Sequence, residues 1–286
     1  MSLLPSGEGQ DEGVWIKQLL HLFPHPNPLP EGEGVCGMKS TEQVYGLHAV
    51  AALLASRPTA IKKLMVADAA ADRQLAPLLE QAVAAGIAVQ KVTRRELDQQ
   101  LPGGRHQGIL AVVRDATSGL SEKQLPDFLA ALTEPAFLLV LDGVQDPHNL
   151  GACLRTAEAA GVHAVILPRD RSAGLTPVAR RAASGAAEVL PILIVTNLAR
   201  ILRQLKEKGV WLLGTSDQTE QSLYAAGLSG PMALVMGNEE KGMRRLTSEL
   251  CDFLVRIPMH GSVSSLNVSV ATGVCLFEMI RQRGEQ

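Results

Sequence analysis

A chain of 286 residues with a formal net charge of -2 has the size for one or two domains and lacks the strong overall positive charge of a protein that holds nucleic acid by bulk electrostatics. It is 46% hydrophobic but only 3% aromatic, so Leu, Val, Ile and Ala must build the core, which is the usage of parallel sheets covered by helices. No apolar run reaches the ~18 residues of a membrane helix, and Cys36, Cys153, Cys251 and Cys275 lie far apart without C-x-x-C spacing, which argues against a zinc site or a disulfide framework and for the reduced thiols of a cytoplasmic protein.

Residues 1–37 differ from the rest. "HLFPHPNPLPEGEGVCG" is rich in Pro and Gly and has neither a helix nor a strand period. No charged segment followed by an apolar one marks a secretory signal. This stretch reads as a disordered extension, with Met38 as the point where organised sequence begins. It carries one Lys and five acids. The remainder has 26 basic and 24 acidic residues, so RNA binding there would rest on local basic clusters.

From residue 38 the pattern predicts a small α/β unit ending near Val113. "YGLHAVAALLAS" suggests a helix after Gly46, "IKKLMVAD" alternates as a strand, and "RQLAPLLEQAVAAG" is a helix closed by Gly86. "IAVQKV" is a strand, "RRELDQQL" a short helix and "QGILAVV" a strand. Residues 114–124, with "RDATSGLSEKQ", have the composition of a flexible linker. The second unit, 125–286, alternates more regularly. "AFLLVLDGV" is a continuous apolar strand, "NLGACLRTAEAAGV" a helix, "AVILP" a strand, "TPVARRAASGAAEVL" wholly or partly helical, and "PILIV" a strand. "NLARILRQLKEKG" is a helix, "VWLLGTS", "MALVMG" and "DFLVRIP" are strands, and an apolar helix follows Asn267. The expected fold class is α/β with a doubly wound parallel sheet.

Ligands of open parallel sheets bind beyond the carboxyl ends of strands. Three of those ends carry polar or Gly-rich loops: Asp142–Gly151 with Arg155 one turn further on, Gly237–Met243, and Pro258–Asn267. The chain has no G-x-G-x-x-G, Walker A, G-x-S-x-G or H-E-x-x-H motif. His148, His163 and His260 are scattered, so no metal is expected. Lys62, Lys63, Arg94, Arg95 and Arg105 are candidate contacts to RNA phosphates.

"DGVQDPHNLGACLRTAEAAGV", "LVMGNEEKGM" and "IPMHGSVSSLNVSVATGVCLFEMIRQR" resemble, in order, the three motifs of the SpoU/TrmH-type SPOUT family of RNA ribose 2′-O-methyltransferases. The 38–113 unit resembles the L30e-like substrate-binding domain of the branch that acts on a guanosine of 23S rRNA. The resemblance implies a deep trefoil knot in the second domain, a homodimer, and S-adenosyl-L-methionine as cofactor. The cofactor would lie among Gly214, Thr215, Gly237, Ile257, Met259 and Leu266. The resemblance assigns the chemistry to Arg155, Glu239, Asn149 and Asn267. Arginine, with a pKa above ~12, is a poor base, so the expected division is phosphate binding by Arg155, proton acceptance by Glu239, and orientation by the two asparagines. Action on tRNA or another rRNA nucleoside, or RNA binding without catalysis, are the alternatives.

Overall fold

The computed structural model describes residues 42–67, 74–102, 106–114 and 119–284. The predicted extension at 1–37 and Arg105 lie outside these residues.

The first sheet has the order β1-β4-β2-β3. Its strands are β1 (Glu42–Tyr45), β2 (Ile61–Ala67), β3 (Ala88–Val92) and β4 (Ile109–Val113). Strand β4 runs antiparallel to both β1 and β2, while β2 and β3 are parallel. All five residues of β4 are buried, because the sheet is covered on both faces. Ile109, Ala111 and Val113 face Val50, Leu53 and Leu54 of α1 (Leu47–Ser56). Leu110 and Val112 face Leu97 of α3 (Arg94–Gln100). Helix α2 (Ala76–Ala84) adds Leu78 and Ala82 to the first of these cores. A capping box opens α3: Thr93 Oγ1 accepts from Glu96 N at 3.2 Å and Glu96 Oε2 accepts from Thr93 N at 2.6 Å. Strand β1 was not among the strands expected from the sequence, while the helix after Gly46 stands where it was expected. Four residues carry little periodicity, and pairing with β4, from Glu42↔Val113 to Tyr45↔Leu110, makes them a strand.

Residues 119–124 also depart from the linker reading. Gly119 bridges Ile192, and a 3₁₀ turn at Glu122–Gln124 follows Ser121. Glu122 accepts from Thr196 N at 3.0 Å and pairs with Arg200, so this end of the connection is fastened to the second sheet. Glycine and serine content gave no sign of those long-range partners.

The second sheet is parallel throughout, in the order β10-β8-β9-β5-β6-β7. Its strands are β5 (Phe137–Asp142), β6 (Ala164–Pro168), β7 (Ile192–Val195), β8 (Trp211–Thr215), β9 (Met232–Gly237) and β10 (Phe253–Val255). Strand β5 is buried over its full length because both faces are covered. Leu139 and Leu141 pack with α5 (Pro147–Ala159), α6 (Pro177–Ala182), α7 (Ala186–Val189) and α10 (Val268–Gly284). Leu138 and Val140 pack with α4 (Leu125–Ala130) and α8 (Leu198–Glu207). A short α9 (Arg245–Leu250) lies against α8. The single helix allowed over 176–190 is two, broken where Ser184 (φ 50) and Gly185 (φ 99) turn left-handed. Helices α5 and α6 approach so closely at Gly151 that a Cβ there would stand 2.4 Å from Ala179 O.

This strand order positions the site. The carboxyl end of β5 meets that of β9, with Asp142 opposite Gly237. Gly214 of β8 pairs with Val235 on one side and Leu254 on the other. The loops after β5, β8, β9 and β10 therefore open on one edge of one sheet.

Candidate active site

That edge holds a cavity of about 700 Å³, within the roughly 300–1,000 Å³ of small-molecule sites. Thr215, Gly237, Ile257, Met259 and Leu266 line it, together with Glu239. Gly214, the remaining predicted cofactor residue, is not among the residues that line it. A Cβ on it would stand 2.7 Å from Met243 Cε and 2.8 Å from Cys251 Sγ, so the packing around it is close. Gly237 is more tightly enclosed: a Cβ would lie 2.2 Å from both Gly242 C and Met243 N. The 238–242 turn thus folds directly onto the end of β9, and only a bare backbone fits beneath it.

Asn238 and Asp142, which the sequence reading did not single out, hold the loops in place. Asn238 Nδ2 donates to Gly143 O at 3.1 Å, and its Oδ1 accepts from Glu240 N and Lys241 N at 3.0 and 3.1 Å. Asp142, 1% exposed, accepts from Arg244 N at 2.9 Å and lies 3.4 Å from Arg244 Nε. A buried carboxylate needs such partners. The signal available in the sequence was an acid closing an otherwise apolar strand.

Three of the four predicted catalytic residues form one chain of hydrogen bonds. Asn267 Nδ2 donates to Asn149 Oδ1 at 3.0 Å, and Asn149 Nδ2 donates to Glu239 Oε1 at 2.7 Å. Asn238 Nδ2 reaches Glu239 Oε2 at 3.3 Å. Asn267 has a second task, since its Oδ1 accepts from Ser269 N and Oγ and so caps α10. Asp146 caps α5 in the same way, through His148 N at 2.9 Å, and so sets Asn149 in the helix's first turn. The carboxylate of Glu239 is thereby fixed at the cavity wall with acceptor capacity to spare.

Arg155 stands apart from that chain. Six residues after Asn149, it projects about 240° further round α5, and its exposed guanidinium donates to Ser184 Oγ at 3.5 Å. The basic candidates are not one patch either. Register pairs Lys63 with Ala88 and Ala67 with Val92, so Lys62 and Lys63 lie at one end of the first sheet and Arg94 and Arg95 just past the other. Burial pushes the Cys153 thiol up to about 11 and those of Cys251 and Cys275 to about 12, so at neutral pH none is a thiolate nucleophile. Among the described residues no cluster of His, Cys, Asp and Glu could hold a metal, and no helix is long and apolar enough to cross a membrane.

A parallel sheet with polar loops gathered at one edge, and a cavity beside an Asn–Asn–Glu chain, fit the architecture that the motif resemblance implies, that of a SPOUT-type methyltransferase. The chain belongs to the SpoU rRNA methylase family, whose profile matches residues 136–277; a second profile, for RNA 2′-O ribose methyltransferase substrate binding, matches 43–118. It is 57% identical over 244 residues to the 23S rRNA (guanosine-2′-O-)-methyltransferase RlmB of Yersinia pestis, covering 85% of this chain and 98% of that protein. It is 52% identical to the RlmB of Escherichia coli K12, covering 85% of this chain and 99% of the relative. Among solved structures, an AdoMet-bound rRNA methyltransferase from Sinorhizobium meliloti superposes with a TM-score of 0.66 at 27% identity, over 84% of this chain and 86% of that one. AviRb from Streptomyces viridochromogenes shares the fold at 23% identity, with a TM-score of 0.70 over 86% of this chain and 90% of its own.

Proposed function

We propose that this protein transfers a methyl group from S-adenosylmethionine to the ribose 2′-oxygen of a guanosine in 23S rRNA, in the bacterial cytoplasm. The observation that carries the reading is the Asn267–Asn149–Glu239 chain set against a cavity whose wall is partly bare backbone. The cavity suits the cofactor: Met236, Ile257, Leu266 and Val268 offer an apolar wall for a purine, and the Gly237 backbone lets a ligand approach without a side chain between. When bound, S-adenosylmethionine supplies an electrophilic methyl on a positively charged sulfur. What the chain must add is alignment and a destination for the 2′-hydroxyl proton. Glu239, held by two amides, is the acceptor. Arg155, exposed and permanently charged, binds the phosphate beside the target ribose. Alignment alone contributes about 7–11 kcal/mol to such a transfer.

The family resemblance implies that the 257–267 segment threads as a trefoil knot, and in this reading Asn267, which meets Asn149 118 residues away, closes the threaded segment. Residues 38–113 are the RNA-binding domain in this reading, 125–286 the catalytic one. The test is transfer of a tritiated methyl group to a 23S rRNA fragment, with the product mapped by ribose-methylation sequencing. A single modified guanosine is expected. A label on tRNA alone, or cofactor binding without transfer, would overturn the substrate or the catalytic reading respectively.

A homodimer belongs to the same proposal. Val270 and Phe277 lie seven residues apart on one face of α10 and are 53% and 52% exposed, an apolar strip that a two-fold partner would cover. Light scattering is expected to give twice the chain mass at micromolar concentration. A mass equal to one chain would count against the dimer.

A further inference from the structure

The break between α6 and α7, at Ser184 and Gly185, touches two things at once. On one side it receives α1 of the first domain. Gly185 is buried beneath that helix: a Cβ would stand 2.9 Å from His48 O and 2.9 Å from Ala52 Cβ. Its φ of 99° is itself one that other residues rarely adopt. At the other end of α1, Arg57 Nη2 donates to Glu188 O at 3.2 Å. Glu188 is 1% exposed, and its carboxylate pairs with Arg180 at 2.7 Å, which anchors this acceptor to α6. The segment 185–188 is therefore a seat for α1, gripped at both ends.

The neighbouring residue faces the other way. Ser184, at φ 50, turns its hydroxyl to Arg155, whose Nη1 donates to Ser184 Oγ at 3.5 Å. Nothing flexible separates the two contacts, because Ser184 and Gly185 are consecutive. A shift of α1 across Gly185 moves the backbone that carries the Ser184 hydroxyl.

We propose that the Ser184–Gly185 turn positions Arg155 in response to the docking of the first domain, so that the arginine stands ready only when α1 is seated. This rests on the reading of Arg155 as the phosphate-binding residue and of the first domain as the RNA-binding one. RNA held by the first domain would then be presented at a fixed offset from Arg155, and the turn becomes a determinant of which nucleoside is methylated. Ser184 is a positioning residue: it acts through Arg155 and touches neither substrate nor cofactor.

The experiment measures kcat and KM separately for the full-length protein with a 23S rRNA fragment, alongside cofactor affinity and melting temperature. Ser184→Ala is expected to lower kcat about ten-fold, equivalent to about 1.4 kcal/mol, with both KM values and the melting temperature unchanged. Ser184→Asn tolerates a left-handed backbone and keeps an acceptor, so it should restore kcat to within about three-fold of wild type. Arg57→Met, remote from the cavity, should lower kcat in the same direction, and the double variant Arg57→Met/Ser184→Ala should fall no lower than the poorer single one. Wild-type kcat in Ser184→Ala, or fully additive losses in the double variant, would overturn the proposal. A wild-type protein that failed to methylate the fragment would instead overturn the function on which it rests.

Discussion

Replacement of Arg155 by alanine is expected to lower methyl transfer by about 10²–10³-fold, the usual cost of removing one charged donor from a transition state, while S-adenosylmethionine affinity stays within about two-fold. The separation follows from geometry. The cavity wall is drawn from the loops after β8, β9 and β10, and Arg155 is absent from it. Its guanidinium lies on α5, exposed and bonded to Ser184. In the proposed reading a phosphate bound there would contribute to RNA placement and to nothing the cofactor feels. Calorimetric titration of cofactor together with tritium transfer distinguishes the outcomes, and a parallel loss of binding and transfer would show that Arg155 acts on the cofactor site instead.

The second large effect is expected at Gly237. A methyl group there meets Gly242 C and Met243 N at 2.2 Å, and both are backbone atoms that cannot swing aside. The 238–242 turn must move off the end of β9, breaking the Asn238–Gly242 pairing at 3.0 and 2.9 Å and releasing the Asn238 bond to Gly143. Gly237→Ala should cost at least about 4 kcal/mol, which for a chain of this size lowers the melting temperature by roughly 8–16 °C. Cofactor binding should fall with it, because the displaced turn carries part of the cavity wall. A calorimetric melting curve like that of the wild type would show that the turn is more compliant than its packing implies.

The contrast between these two residues indicates what a sequence of this kind discloses. The strands of the second sheet were legible because "FLLVLD" and "AVILP" are apolar without interruption, as burial on both faces requires. The cavity residues were legible through the motif resemblance, and five of the six stand in its wall. The set Arg155, Asn149, Glu239 and Asn267 was named from the motifs together with an expected division of roles, but that Arg155 stands apart from the other three was not legible. Asn149 and Arg155 lie six residues apart on one helix, and only the placement of α6 and α7 sends the arginine to Ser184. Strand β1 and the docked segment 119–124 were hidden for the same reason, since their partners lie about 70 residues away in the chain. Lys62, Lys63, Arg94 and Arg95 look alike as dipeptides, and only the β2–β3 register places them at opposite ends of a sheet.

The hydrogen bonds that define the site join residues far apart along the chain: 118 positions between Asn149 and Asn267, 90 between Asn149 and Glu239, and 102 between Asp142 and Arg244. Contacts of that separation return nothing until long loops have closed, so they form after the local helices and the neighbouring strand pairs. The site is therefore expected to assemble late in folding, which hydrogen-exchange labelling during refolding would check. A bound cofactor would report that the whole second domain has closed, and its binding free energy would add to the global unfolding of that domain rather than to the opening of one loop.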